Sequence, residues 1–223
     1  MNKDFPRHST PDTRHSFVSP IPIIHLVDDD SSFRKALTRL LRAAKYEVRS
    51  YASAVEFVDS RTHGTGGCII LDLQMPGVSG LELQESLANV DEPLPIIFLT
   101  GNGNIPATVR AMKAGAIDFL TKPVERETLL RAVESALERD AAERISRANL
   151  RDLRGRYQTL TAREREVLAH VVGGKLNKQI AFDLGTTERT IKAHRAKIME
   201  KLSVQSVAEL TRLAQSLGID PIS

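Results

Sequence analysis

Residues Cys68–Gly80 read CIILDLQMPGVSG. The run opens on four apolar residues, Cys68 to Leu71, meets the carboxylate of Asp72, and reaches the Pro76-Gly77 break four residues later. A short apolar run closed by Pro-Gly reads as a buried strand. An ionised carboxylate at the edge of a core costs free energy unless it is paired or something is bound there. What Asp72 meets therefore decides how the surrounding chain is read.

Working outward from Asp72, the same pattern recurs. IPIIHLV ends at Asp28-Asp29-Asp30, and Phe33, Leu37, Leu40, Leu41 and Ala44 then follow at helical spacing. YEVRSY is a second strand and Ala54–Val58 a short helix. After CIILD, Ser79-Gly-Leu-Glu82 matches a capping box that opens a helix through about Leu87. PIIFLT gives a fourth strand, Ile105–Met112 a helix broken at Gly115, and AIDFLTK a fifth strand. Strands separated by helices pair in parallel through right-handed crossovers. The expectation is an α/β doubly wound, five-stranded parallel sheet with its ligand site outside the carboxyl ends of the strands.

Those strand ends carry a chemical set. The first gives Asp28, Asp29 and Asp30, the third Asp72, the fourth Thr100 followed by Gly101, and the fifth Lys122 followed by Pro123. Clustered carboxylates repel one another unless a cation joins them. Oxygen-only ligands with room for water suit Mg²⁺. A carboxylate held there can act as a nucleophile toward phosphorus, with the Lys ammonium and Thr hydroxyl holding phosphoryl oxygens.

Residues 124–154 contain no Gly or Pro and predict a long helix. Leu129, Leu130, Val133 and Leu137 suit packing on the sheet; beyond them Ala141, Ile145 and Ala148 form a thin stripe, fitting either a solvated linker helix or a coiled-coil seam between two chains. After Gly155 the pattern is all-α, with four helices: one capped by Thr161-Ala-Arg-Glu164, one over Asn177–Leu184, one from Thr187 to Leu202 and one over Gln205–Leu217. In the third, Ile191, Arg195, Ile198 and Leu202 share the packing side, with Arg195 at its margin, and Arg189, Lys192, Ala193, Ala196 and Lys197 share the other. Small alanines among long cations suit a helix entering the major groove. With the Gly185 turn and the preceding helix they form a helix-turn-helix.

Charge divides accordingly: residues 23–125 hold 10 Lys/Arg against 13 Asp/Glu, whereas 155–223 hold 11 against 7, so the second part suits a polyanion. No apolar run spans a membrane. The lone Cys68 excludes an internal disulfide and fits a reducing cytoplasm. Residues 1–22 hold four prolines and few large apolar groups, and are expected to be a disordered tail in which His8 and His15 are solvated. The expected domains are 1–22 (tail), 23–138 (sheet domain), 139–156 (helical linker) and 157–223 (helix-turn-helix domain).

VDDD, ILDLQMPGVSG, TG and DFLTKP, in this order, resemble the receiver domain of two-component response regulators, a flavodoxin-like fold. LTAREREVLAHVVGGKLNKQIAFDLGTTERTIKAHRAKIMEKL resembles the DNA-binding domain of NarL/FixJ-type (LuxR-like) regulators. The first resemblance implies Asp72 as the phosphoacceptor. It implies Mg²⁺ bound by Asp29 directly, by Asp28 mainly through water and by the Gln74 backbone carbonyl. Thr100 and Lys122 would contact the phosphoryl group, Phe119 would be the switch aromatic, and Lys122-Pro123 would be cis. Gln74 and Asn102 would tune the phosphoryl lifetime, and Asp30 fits helix capping better. The second resemblance implies that Lys192, Ala193 and Ala196 face bases. Thr187, Arg189, His194 and Lys197 would contact phosphates or position the helix, and Asn177 and Lys178 would approach the backbone. The last helix would supply dimer contacts through Val207, Leu210 and Ala214.

The function so implied is a non-enzymatic, cytoplasmic transcription regulator. A sensor histidine kinase phosphorylates it, phosphorylation promotes a homodimer through the surface near Arg110, Lys113 and Phe119, and the dimer binds a double-stranded DNA operator, with RNA polymerase as a further partner. The alternative within this class is a phosphorylation-independent DNA-binding regulator. From another class, Asp28-Asp-Asp30 matches the Asp-x-Asp pair of haloacid-dehalogenase-type phosphatases, which leaves the helix-turn-helix unexplained.

Overall fold

The structure, a computed structural model, describes residues 21–61, 64–88, 90, 92–101 and 105–222. Asn102, His8, His15 and nearly all of the expected tail lie outside the described residues. The chain divides into two compact units, one through Asp140 and one from Ala141.

The first unit runs β1 (Ile23–Val27), α1 (Ser31–Ala43), β2 (Glu47–Tyr51), α2 (Ala54–Ser60), β3 (Gly67–Asp72), α3 (Gly80–Leu87), β4 (Ile96–Thr100), α4 (Ile105–Lys113) and β5 (Asp118–Thr121). The sheet is parallel throughout, in the order β2-β1-β3-β4-β5. Every residue of β1, β3 and β4 is buried, as expected for strands covered on both faces. One core packs Leu37 and Leu41 of α1 and Leu129, Ala132, Val133 and Ala136 of the helix after β5 against one face. The other packs Phe57, Leu83 and Ala111 of α2, α3 and α4 against the opposite face. Cys68 lies wholly within the first core, and burial pushes its thiol up to about 12, so it is a small core residue.

The helix after β5, α5, spans Arg126–Gln158. It runs through Gly155, the residue at which the Gly- and Pro-free stretch of the sequence stops. A helical Gly costs about 1 kcal/mol relative to Ala, and the next turn offsets this: Tyr157 packs on the second unit's core, with Arg165 over its ring at 5.2 Å. On the same helix Asp140 is buried and accepts from the Gly67 amide at 3.0 Å, at the start of β3.

In the second unit, α6 (Ala162–Val172), α7 (Asn177–Asp183), α8 (Glu188–Leu202) and α9 (Val207–Leu217) enclose Val167, Leu168, Ile180, Ile191, Ile198, Leu202 and Leu210. Both capping boxes form, Ser79 with Glu82 and Thr161 with Glu164. Glu164 is buried and accepts from Lys201 Nζ at 2.7 Å, tying the start of α6 to the end of α8. The expectation that α9 offers Leu210 and Ala214 to a second chain is corrected: both are buried inside their own unit, and only Val207 of the three is exposed. They are the inward stripe of an amphipathic helix, and a single sequence does not say whether such a stripe meets its own core or a partner.

Candidate functional site

Parallel register aligns the strand ends: Val27 with Leu71, Asp72 with Leu99, and Thr100 with Thr121. Asp28, Asp72, Thr100 and Lys122 are thereby gathered at one edge of the sheet. Asp30 leaves the cluster to cap α1, accepting from the Ser32 and Phe33 amides at 2.8 and 3.1 Å. Those two hydrogen bonds hold its carboxyl below the usual range. This is the capping role expected of it, and it removes Asp30 from the acid position that an Asp-x-Asp phosphatase needs. Gly80 lets α3 begin against β3; a Cβ there would overlap the carbonyl oxygen of Asp72.

Carboxylate oxygens of Asp28, Asp29 and Asp72 all lie within 4.8 Å of one another. Asp28 and Asp72 are buried and Asp29 is exposed. Lys122 Nζ donates to Asp28 Oδ2 at 2.6 Å and to Asp72 Oδ2 at 2.7 Å. The other oxygens accept backbone amides: Asp28 Oδ1 from Asp30 at 3.0 Å, Asp72 Oδ1 from Gln74 at 3.2 Å. Burial pushes the Asp28 carboxyl up, against the pull of Lys122. Burial also works to lower the Lys122 ammonium, but its bonds to Asp28 and Asp72 outweigh that and raise it. The Lys122-Pro123 peptide is cis. Thr100 is fully buried at the end of β4, and Phe119 is half-buried with its ring 6.0 Å from that of Phe98. Two supporting residues escape the sequence reading: Arg34 donates to the Asp28 carbonyl, and Phe33 lies under Lys122 at 4.4 Å. Both stand on the first turn of α1, and only the fold brings Phe33 to Lys122.

A second candidate site lies on the helical unit. Leu184 caps the C-terminus of α7, and its carbonyl accepts from Arg163 of α6. Gly185 turns the chain with φ 61°, a conformation that favours glycine. Thr187 then caps α8, accepting from the Thr190 amide at 3.2 Å. Arg189, Lys192, Ala193, Ala196 and Lys197 are all exposed, as is Lys178; His194 and Asn177 are half-buried. Ile191, Ile198 and Leu202 turn inward. Arg195 lies between the two sides and donates to Asn177 Oδ1 at 2.8 Å.

A doubly wound α/β unit bearing this acidic edge, together with a helix-turn-helix unit, defines a receiver joined to a DNA-binding domain. The comparisons agree with that class. The response regulator receiver domain matches residues 24–134, and the luxR family of bacterial regulatory proteins matches residues 158–214. Nodulation protein W of Bradyrhizobium diazoefficiens is 42% identical over 92% of this chain and 90% of its own length. Transcriptional regulatory protein FixJ of Rhizobium meliloti is 39% identical over 89% and 97%. The solved response regulator StyR superposes with a TM-score of 0.76 at 46% identity, over 87% of this chain and 98% of its own. The chain belongs to the two-component response regulators of the NarL/FixJ type: a receiver followed by a LuxR-type DNA-binding domain that regulates transcription.

Proposed function

We propose that Asp72 accepts a phosphoryl group from a sensor histidine kinase, and that this controls a homodimer which binds a double-stranded DNA operator through α8. The observation that carries the reading is one lysine bridging two buried carboxylates beside a third, exposed one. An Asp72 oxygen attacks phosphorus as the phosphorus–nitrogen bond to the kinase histidine breaks, giving an acyl phosphate and a free imidazole. Lys122 then exchanges its bond to Asp72 Oδ2 for one to a phosphoryl oxygen, and the Thr100 hydroxyl meets another. Phe119 follows toward the space beside Thr100, carrying the change to the face around Arg110 and Lys113. This is a shift between two populated states.

An all-oxygen donor set of three carboxylates fits Mg²⁺. Asp29 and Asp72 would hold it, with Asp28 acting mainly through water and Gln74 through its backbone carbonyl. When bound it supplies positive charge against the phosphoryl oxygens. Gln74 stands where a side chain sets the phosphoryl lifetime.

On the DNA, Lys192, Ala193 and Ala196 face bases, while Thr187, Arg189, His194, Lys197, Asn177 and Lys178 address the backbone. A dimer sets two α8 helices about one DNA turn apart. The domains are the receiver (23–138), the linker (139–156) and the DNA-binding domain (157–223), the last also meeting RNA polymerase. The protein acts in the cytoplasm and is not an enzyme; among the described residues no helix is long and apolar enough to cross a membrane.

The test is intact mass after incubation with Mg²⁺ and acetyl phosphate. One added phosphoryl group on the wild type and none on Asp72→Asn is the expected result. An adduct persisting in Asp72→Asn, or none on a wild type that still binds DNA, overturns it.

A further inference from the structure

Arg195 is the one charged residue that the sequence pattern sets on the packing side of α8, at its margin, beside Ile191, Ile198 and Leu202. Its Nη1 donates to Asn177 Oδ1 at 2.8 Å, across eighteen positions, from the middle of α8 to α7. Both residues are half-buried. A guanidinium only donates, so the amide oxygen of Asn177 must face it. That fixes which way the amide points: the acceptor is turned inward on Arg195, and the two N–H donors of Nδ2 remain. A phosphate oxygen only accepts, so an amide oriented in this way presents the half that matches it. Lys178, the next residue, is exposed and supplies a cation beside it.

We propose that Arg195 is a positioning residue for DNA binding: it holds α7 against α8 and orients the Asn177 amide so that Nδ2 donates to a backbone phosphate. The proposal rests on α8 being the DNA-reading helix. It assigns Arg195 no base contact of its own. It also separates two chemistries within one residue: Asn177 Oδ1 serves the fold and Nδ2 serves the DNA.

The isosteric change Asn177→Asp separates them. Aspartate still accepts from Arg195 but has no donor, and it sets an anion against the phosphate. Operator binding by the full chain at fixed salt is expected to weaken at least about tenfold, with the urea midpoint unchanged. The loss should be similar on unrelated duplex, because a phosphate contact carries no sequence information. Arg195→Leu is expected to weaken binding as well, and Arg195→Gln, whose amide can donate to Asn177, to recover part of the loss. In a double-mutant cycle, Asn177→Ala is expected to cost little once Arg195 is Leu.

Full affinity in Asn177→Asp overturns the phosphate contact. Additive losses for Asn177→Ala and Arg195→Leu overturn the positioning role. A loss of binding by Arg195→Leu that tracks a lowered urea midpoint, with no rescue by Gln, reduces Arg195 to a structural residue and overturns it as well. A wild type that retains no duplex even at low salt removes the DNA-reading assignment of α8 itself, an outcome distinct from the others.

Discussion

Lys122 Nζ stands 2.7 Å from Asp72 Oδ2 while holding Asp28 Oδ2 at 2.6 Å, so one ammonium is shared by two carboxylates that are nearly removed from water. Taking away the one cation leaves two buried carboxylates uncompensated, which costs more than the set contributes when whole. Lys122→Gln is therefore expected to destabilise the receiver by roughly 3 kcal/mol without divalent cation. Mg²⁺ should restore much of the loss, because it supplies the missing charge. Urea titrations with and without Mg²⁺ measure both quantities.

Asp28 responds in the opposite direction. Its folded carboxyl is raised by burial, so its stabilising contribution is present below the ordinary carboxylate value and is lost as pH rises through the folded one. At neutral pH the wild type carries that cost. Asp28→Asn is expected to melt higher than the wild type in the absence of metal, and to show a smaller rise on adding Mg²⁺. A lower melting point at pH 7 would mean that the bond to Lys122 outweighs burial.

His25 gives the molecule an acid-side weakness. It is buried in β1, bonded through Nδ1 to the Tyr51 hydroxyl at 3.0 Å, and burial, with Arg49 and Arg61 adding to it, lowers it to about 4. Below 6.5 the unfolded chain takes up a proton that the folded one refuses, so stability is lost from pH 6.5 down to about 4. The shift amounts to about 3 kcal/mol. His25→Gln is expected to flatten the stability curve across that window, as read by urea midpoints at successive pH values.

On α8, Ala193 and Ala196 keep the exposed face low while Lys192 and Lys197 reach past them. Ala193→Leu adds bulk without touching the core, so melting should be unchanged while operator binding falls about tenfold or more. Lys197→Ala should weaken binding to any duplex and lower the slope of log affinity against log salt by about one. A salt slope equal to that of the wild type would place Lys197 away from phosphate.

Much of this was legible because it is local or periodic. Apolar runs ending in carboxylates mark β1 and β3, and Ser79–Glu82 and Thr161–Glu164 declare two helix starts within four residues each. Once parallel pairing is accepted, Asp28, Asp72, Thr100 and Lys122 must meet at one edge. What was not legible joins distant positions with no repeating pattern: Asp140 to the Gly67 amide, Lys201 to Glu164, Arg195 to Asn177. The continuation of α5 past Gly155 into the second unit escapes for a related reason. Propensity is local, and the packing of Tyr157 overrides it. Leu210 and Ala214 show the other limit, since an apolar stripe announces burial without naming what covers it.

The chain's single thiol, Cys68, is sealed in the core and held far from its reactive anion. To a maleimide or a spin label the native protein is therefore blank. One cysteine introduced on the exposed side of α4, or at Ala196 of α8, would be the sole point of attachment, so either end of the switch can be watched by spectroscopy without first rebuilding the core.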